Sequence, residues 1–124
     1  MDAAQTRALE RFQRLVSEAG FTPPTREELL TAAGRTDGAD PQAILNYLLD
    51  TGYVVDVGGF LYDGATLDKI KQMIRELVQA QGSFTVAQFR DRSGSTRKYA
   101  VPLLEWLDRQ GFTRRIGDER VLAG

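Results

Sequence analysis

Apolar residues recur along this chain with two periods, and the order of those periods is the same in both halves. Near the start of each half they fall three and four positions apart, which predicts an amphipathic helix. A shorter helical pattern follows and ends at Gly34 in one half and at Gly94 in the other, because glycine is a common helix terminator. The apolar positions of the two longer helices are Leu9, Phe12, Leu15, Val16 and Ala19, and Ile70, Ile74, Leu77 and Val78.

Polar side chains mark where the later helices of the first half begin. Thr25, with Glu28 three residues on, is a capping-box pattern for the second helix. Asp40-Pro41 combines an N-cap with proline at the first helical position of the third helix. In the second half Thr85 is the matching cap of the second helix.

The third helix of the second half is predicted to differ from its counterpart. Ser95 or Thr96 is its expected cap, so the helix begins about one turn earlier. Pro102 then falls in the helix interior, where proline removes a hydrogen bond, and a distortion is expected near 99–102.

Each half closes with a pattern typical of a β-hairpin. The segment "YVVDVGGFLY" turns at Gly58-Gly59, and "FTRRIGDERVL" turns around Gly117–Glu119. The two halves also align at an offset of 59, which pairs "ILNYLLDTGY" with "LLEWLDRQGF". We therefore predict a mostly α chain with short β-hairpins, built as two tandem winged-helix domains (helix–turn–helix plus wing) over residues 1–64 and 65–124.

Composition excludes several kinds of chemistry. The chain has 124 residues with no cysteine and no histidine, which removes disulfides, most zinc sites and histidine-dependent catalysis. No phosphate-binding glycine motif precedes a helix, and the carboxylate pairs Glu27-Glu28 and Asp118-Glu119 are sequence neighbours rather than a facing dyad. We expect no enzymatic activity, no cofactor, no metal and no membrane segment.

Charge is divided unequally between the halves. Residues 1–64 carry 5 basic and 10 acidic side chains, a net charge of −5, whereas residues 65–124 carry 11 and 7, a net of +4. The second half is thus the one suited to a polyanion. The first half has acidic or apolar residues where the second has its basic ones, so we interpret it as a structural spacer.

The candidate chemistry lies at the start of the third helix in the second half. Arg97 and Lys98 stand at the positive end of the helix dipole, where cations are disfavoured unless a ligand supplies negative charge. Helix–turn–helix modules present this helix start to nucleic acid, and its free N–H groups receive phosphate. The candidate nucleic-acid-binding residues are Arg92, Ser95, Thr96, Arg97, Lys98 and Tyr99, joined on the wing by Arg114 and Arg115, with Arg120 also in the wing.

Plainer interpretations of the same residues stay open. Arg97 and Lys98 can be solvated surface, Tyr99 can be partial core, and the wing arginines can serve to blunt a sheet edge. Since strand neighbours alternate, one of Arg114 and Arg115 should face outward, and the sequence does not say which.

The stretch "FTVAQFRDRSGSTRKYAVPLLEWLDRQGFTRRIGDERVL", residues 84–122, resembles the last winged-helix domain of SelB, the bacterial selenocysteine-specific elongation factor family. Residues 1–64 resemble the preceding winged helix of that family more loosely, through "GFTPPTREEL" and "ILNYLLDTGYVV". One departure is Thr96, where serine is expected before Arg97; both side chains carry a hydroxyl.

The resemblance implies a function and partners. In that family the final winged helix grips the selenocysteine insertion element (SECIS), a hairpin in messenger RNA, and the GTPase and tRNA-binding domains lie N-terminal to it. The chain is accordingly expected to be the C-terminal, non-catalytic part of a cytoplasmic translation factor, monomeric, which meets the ribosome through the full-length factor. The implied contacts are Ser95, Thr96, Arg97, Lys98 and Arg114 or Arg115.

Two alternatives keep the same fold. A winged-helix DNA-binding transcription regulator would bind duplex DNA in preference to an RNA hairpin, usually as a dimer on two half-sites. A protein-interaction module would bind neither nucleic acid, since fold does not fix function.

Overall fold

The computed structural model describes all 124 residues and divides them into two compact units, Met1–Thr66 and Leu67–Gly124. The elements in chain order are α1 (Ala3–Ala19), α2 (Arg26–Ala33), α3 (Pro41–Asp50), β1 (Val54–Val57), β2 (Phe60–Asp63), α4 (Gly64–Gln81), β3 (Phe84–Thr85), α5 (Val86–Ser93), α6 (Arg97–Arg109), β4 (Thr113–Ile116) and β5 (Glu119–Leu122). Helices with short β-hairpins confirm the predicted fold class. None of the six helices is long and apolar enough to cross a membrane.

The first unit packs three helices around one apolar core and adds a two-stranded hairpin. Strand β1 pairs with β2 in antiparallel register, Val57 opposite Phe60, so Gly58 and Gly59 form the turn as predicted. The helix α1 contributes the stripe of Ala8, Phe12 and Val16, which is the helical spacing that the sequence indicated, although Leu9 and Leu15 are only partly buried. The largest buried side chains of this core include Phe12, Leu29, Leu45, Leu48 and Leu61.

The predicted caps fix where the helices begin. Thr25 and Glu28 form a capping box at α2, and Asp40 caps α3 with Pro41 at its first position. Thr85 and Gln88 form a second capping box at α5, where Thr85 Oγ1 accepts from the Gln88 N–H at 3.2 Å. These side chains satisfy backbone N–H groups that a helix start leaves unpaired.

In the second unit the wing belongs to a three-stranded sheet. The strand β5 lies in the middle, antiparallel to β4 on one side and to the two-residue strand β3 on the other. Ile116 stands opposite Glu119, so the turn consists of Gly117 and Asp118. Because β3 runs directly into α5, this sheet joins the wing to the start of α5.

The third helix of the second unit is longer than its counterpart, as predicted. The helix α6 has 13 residues against 10 in α3, and its N-cap is Thr96. Pro102 lies in its interior, yet the helix continues through it without interruption. Ala100, Leu103, Leu104 and Leu107 form the buried face, so burial of that face keeps the helix intact across a residue that donates no hydrogen bond.

Candidate nucleic-acid interface

The start of α6 presents cations and an uncommitted hydroxyl. Thr96 has an extended backbone, φ −114° and ψ 164°, as an N-cap should, but its side chain makes no capping hydrogen bond. Arg97 and Lys98 are exposed in the first turn, and that turn contains no acidic residue. The structure therefore leaves N–H groups, a hydroxyl and two positive charges at one helix end, a combination suited to phosphate.

A groove of about 270 Å³ runs from this helix face to the wing. Its walls are the start of α5, one face of α6 and the wing strands. The lining residues are Thr85, Val86 and Ala87, then Arg97, Val101 and Glu105, and then Arg115, Asp118 and Arg120. The groove thus brings Arg97 and Arg115 together, although 18 positions separate them in the sequence.

The two adjacent wing arginines have different surroundings. Both are exposed, and as strand alternation predicts they lie on opposite faces of the sheet. Strand alternation places Thr113 and Arg115 on the sheet face that α6 covers, and Arg114 on the opposite face. Arg115 Nε also donates to the Gly117 carbonyl oxygen at 2.8 Å, which holds its guanidinium beside the turn. Only Arg115 of this pair lines the groove.

Arg120 is not a free cation of the wing. It is 4% exposed, and its Nη2 lies 3.0 Å from Oδ2 of Asp108 on α6. Its Nε also donates to both oxygens of that carboxylate at 3.2 Å, and Thr113 Oγ1 donates to Oδ1 at 2.7 Å. The expectation that Arg120 adds to the wing's surface charge is therefore wrong. Because it is buried beside Asp108, its side chain links the wing to α6 instead.

The remaining predicted site residues surround the helix start. Arg92 forms an exposed ion pair with Glu76 of α4, with 3.1 Å between Nη2 and Oε1. The Lys98 ammonium lies 5.2 Å from the centre of the Tyr99 ring, a cation–π distance, and Tyr99 is half-buried. The Ser95 N–H donates to Ser93 Oγ at 3.2 Å, which tightens the turn before α6.

Glu105 and Asp118 also line the groove, and the search for cations in the sequence missed them. Arg97, Val101 and Glu105 follow one another at four-residue spacing, so helical periodicity alone places them on one face. The groove therefore offers hydrogen-bond acceptors as well as cations, which suits base and ribose groups in addition to phosphate.

Comparison with known proteins agrees with this architecture. The family model described as elongation factor SelB, winged helix, matches residues 76–122. Selenocysteine-specific elongation factors are 34% identical over 104 residues in Desulfomicrobium baculatum and 46% identical over 61 residues in Escherichia coli K12. Those matches cover 83% and 49% of this chain, and 16% and 10% of the relatives' lengths.

Two solved structures are similar along nearly the whole chain. One is the mRNA-binding domain of elongation factor SelB from E. coli in complex with SECIS RNA, with 30% identity, a TM-score of 0.75 and full coverage of both chains. The other is bacterial selenocysteine-specific elongation factor EF-Sec, with 31% identity and a TM-score of 0.72, covering 94% of this chain and 19% of that one.

Fold and groove together define a tandem winged-helix chain whose second unit carries a groove lined by Arg97 of α6 and Arg115 of the wing. The matched family model is a winged helix and the fully covered relative is an mRNA-binding domain, and neither indicates an enzymatic domain. The chain belongs to the SelB family of elongation factors, in the winged-helix region of that family.

Proposed function

We propose that this chain binds the SECIS hairpin of messenger RNA as the C-terminal RNA-binding part of a selenocysteine-specific translation elongation factor. The observation that carries the proposal is the match, over the full length of both chains, to an mRNA-binding domain in complex with SECIS RNA. Under this proposal the chain works in the cytoplasm and meets the ribosome through the complete factor, while GTP hydrolysis belongs to other domains.

The second unit supplies the contact surface in this proposal. Arg97 and the uncapped helix start receive phosphate groups, and Arg115 approaches the same RNA from the wing. Lys98 and Thr96 extend the cationic and hydroxyl surface at that helix end. Glu105 and Asp118 accept hydrogen bonds from base amino groups or ribose 2′-hydroxyls, which gives the groove a way to discriminate between ligands.

Binding of an RNA backbone explains why cations stand at a helix N-terminus. Arg97 and Lys98 oppose the dipole in the free protein, and an RNA backbone reverses the sign of the interaction. A hairpin loop offers clustered phosphates and unpaired bases, so a small basic patch is sufficient on a chain whose net charge is −1.

A fluorescence-anisotropy titration of the full chain tests the proposal. The ligands are a SECIS-type RNA hairpin with an exposed loop and a stem-matched duplex DNA, each at two salt concentrations, because phosphate contacts make affinity salt-dependent. We expect the hairpin to bind more tightly than the DNA, and Arg97→Ala to weaken hairpin binding by about 1–3 kcal/mol. Arg109→Ala, an exposed arginine at the other end of α6, is the matched control and should leave affinity unchanged.

The other outcomes identify the alternatives. Equal or tighter binding of the duplex DNA would indicate a transcription regulator. A folded protein that binds neither ligand would indicate a protein partner and would remove the site assignment. Equal losses in Arg97→Ala and Arg109→Ala would place the RNA elsewhere on the surface.

A further inference from the structure

A second basic groove lies in the first unit, away from the residues assigned to the hairpin. It has a volume of about 420 Å³ and follows α1 and the end of α2. Three arginines of α1, Arg7, Arg11 and Arg14, lie along it, and Arg35 reaches it from the loop after α2. Two carboxylates, Glu10 and Asp37, share the groove, so its arginines outnumber its acidic residues by four to two.

The concentration of arginine here contrasts with the rest of the unit. Residues 1–66 contain five basic side chains in total, all arginine, and the groove holds four of them. The fifth, Arg26, bonds Gln42 and Asn46 outside the groove. A unit with net charge −5 thus gathers nearly all its positive charge on one surface. Positive charge concentrated against the net sign of a unit suits a polyanionic ligand.

Only one of the four arginines has a structural use. Arg11 Nε donates to the Ala33 carbonyl oxygen at 2.7 Å and its Nη2 to that of Ala32 at 3.2 Å, which satisfies the end of α2. The side chains of Arg7, Arg14 and Arg35 make no hydrogen bond or ion pair, even with the carboxylates of the same groove. Their guanidinium donors are open to a ligand.

The winged-helix fold does not require this arginine row. When Gly20 at the end of α1 is aligned with Gly82 at the end of α4, the three α1 arginines correspond to Lys69, Met73 and Glu76. The second unit builds the same helix with a mixture of cation, apolar residue and anion. The row is therefore a property of the first unit, and the interpretation of that unit as a spacer leaves it unexplained.

We propose that this groove binds the ribose–phosphate backbone of an RNA strand, independently of base sequence. Arg7 and Arg14 are two helical turns apart, about 10 Å along α1, so the row matches a linear series of phosphates better than one compact anion. The guanidinium group of arginine can donate two parallel hydrogen bonds to one phosphate. Glu10 and Asp37 are acceptors for ribose 2′-hydroxyls, which favours RNA over DNA. The choice of RNA rests on the proposed function, whereas the groove itself does not.

The test uses the full chain with the hairpin site removed by Arg97→Ala and Arg115→Ala. Fluorescein-labelled oligouridylate is titrated by anisotropy at several salt concentrations, with oligodeoxyuridylate of equal length alongside. We expect measurable RNA binding by this background variant. Adding Arg7→Ala, Arg14→Ala and Arg35→Ala should weaken it by about tenfold or more and reduce the salt slope by roughly 2, or about 0.7 for each lost phosphate contact on a single strand.

Arg26→Ala in the same background is the matched control, since it removes an arginine of the same unit that lies outside the groove. Unchanged binding in the control, together with loss in the triple variant, supports the proposal. Equal effects of the two changes, or no RNA binding by the background variant, would overturn it. Equal affinity for the deoxy strand would overturn the choice of RNA.

The result is separable from that of the hairpin experiment. In one outcome the chain does not prefer the SECIS hairpin, but its oligouridylate binding is lost when the three groove arginines are replaced. The proposed function would then be wrong, and the RNA-binding groove of the first unit would be supported. A chain that binds the hairpin through Arg97 but whose oligouridylate binding ignores the groove arginines has the proposed function alone.

Discussion

Arg120 of β5 and Asp108 of α6 form a tie between the wing and the helix, with the guanidinium donating to both carboxylate oxygens. Arg120 is 4% exposed, whereas the side chain of Asp108 keeps 24% of its surface in water. Thr113 donates to the same carboxylate from β4, so both wing strands meet one acceptor. One carboxylate of α6 therefore binds side chains from both strands of the wing.

Replacement of Arg120 by methionine should destabilise the second unit. The change keeps the bulk but leaves Asp108 without its buried partner, and we expect a loss of roughly 3 kcal/mol, at the low end for broken buried pairs because Asp108 is partly solvated. Urea unfolding followed by the fluorescence of Trp106, the chain's single tryptophan, reports on this unit. Arg114→Met is the control on the neighbouring strand and should change stability by less than about 0.5 kcal/mol. Equal stability of the two variants would mean that the pair contributes nothing.

Alanine substitution of the two wing arginines should have unequal effects on RNA affinity. Arg115 lines the groove with Arg97, whereas Arg114 points to the other face of the sheet. We expect Arg115→Ala to weaken hairpin binding by about 1–3 kcal/mol and Arg114→Ala by less than about 1 kcal/mol. Anisotropy titrations of both variants at one salt concentration make the comparison. A larger effect of Arg114→Ala would place the RNA on the opposite face of the wing.

Two threonines at helix starts should respond in opposite ways to alanine substitution. Thr85 closes the capping box of α5, so Thr85→Ala should lower the free energy of unfolding by about 1 kcal/mol. Thr96 makes no such bond, so Thr96→Ala should leave stability within about 0.5 kcal/mol and act on RNA affinity instead. Urea unfolding and hairpin titration of each variant test the contrast. A marked stability loss in Thr96→Ala would show that its hydroxyl is committed to the fold.

Gly64 should not tolerate a side chain. A Cβ atom there would lie 2.9 Å from the Gly52 carbonyl oxygen, a backbone atom that cannot rotate aside, and the Gly64 N–H donates to the Tyr53 carbonyl oxygen at 2.9 Å. We expect Gly64→Ala to cost about 1–3 kcal/mol through overpacking. Thermal unfolding by circular dichroism measures the loss, and Gly124→Ala, where a Cβ meets nothing, is the control. Wild-type stability in Gly64→Ala would indicate that the loop at Gly52 shifts freely.

Local signals account for the parts of the fold that the sequence predicted well. The Thr25–Glu28 capping box, the Asp40-Pro41 start and the Gly58-Gly59 turn each depend on residues within four positions of one another. The early start of α6 also followed from a local cap, Thr96. Such features can be predicted from the sequence because the groups that bond are neighbours along the chain.

Features that depend on residues far apart in the sequence could not be predicted from the sequence. The burial of Arg120 requires Asp108, 12 positions earlier on another element, and strand alternation does not say which face of a sheet is covered. The arginine groove of the first unit likewise needs α1 to lie beside the loop that carries Arg35. The residues assigned to the hairpin contact remain a prediction, and the structure adds the grouping of Arg97 with Arg115.

The central position of β5 has a mechanical consequence. This strand bonds to β4 on one side and to β3 on the other, and β3 leads into the Thr85 cap of α5. A tilt of the wing would therefore have to break hydrogen bonds of a sheet that also holds the start of α5. The wing and the α5 wall of the groove are thus kept at a fixed separation. For the proposed RNA ligand, a groove of fixed width would admit a strand or stem according to its thickness, and binding would cost little conformational entropy because the groove need not close.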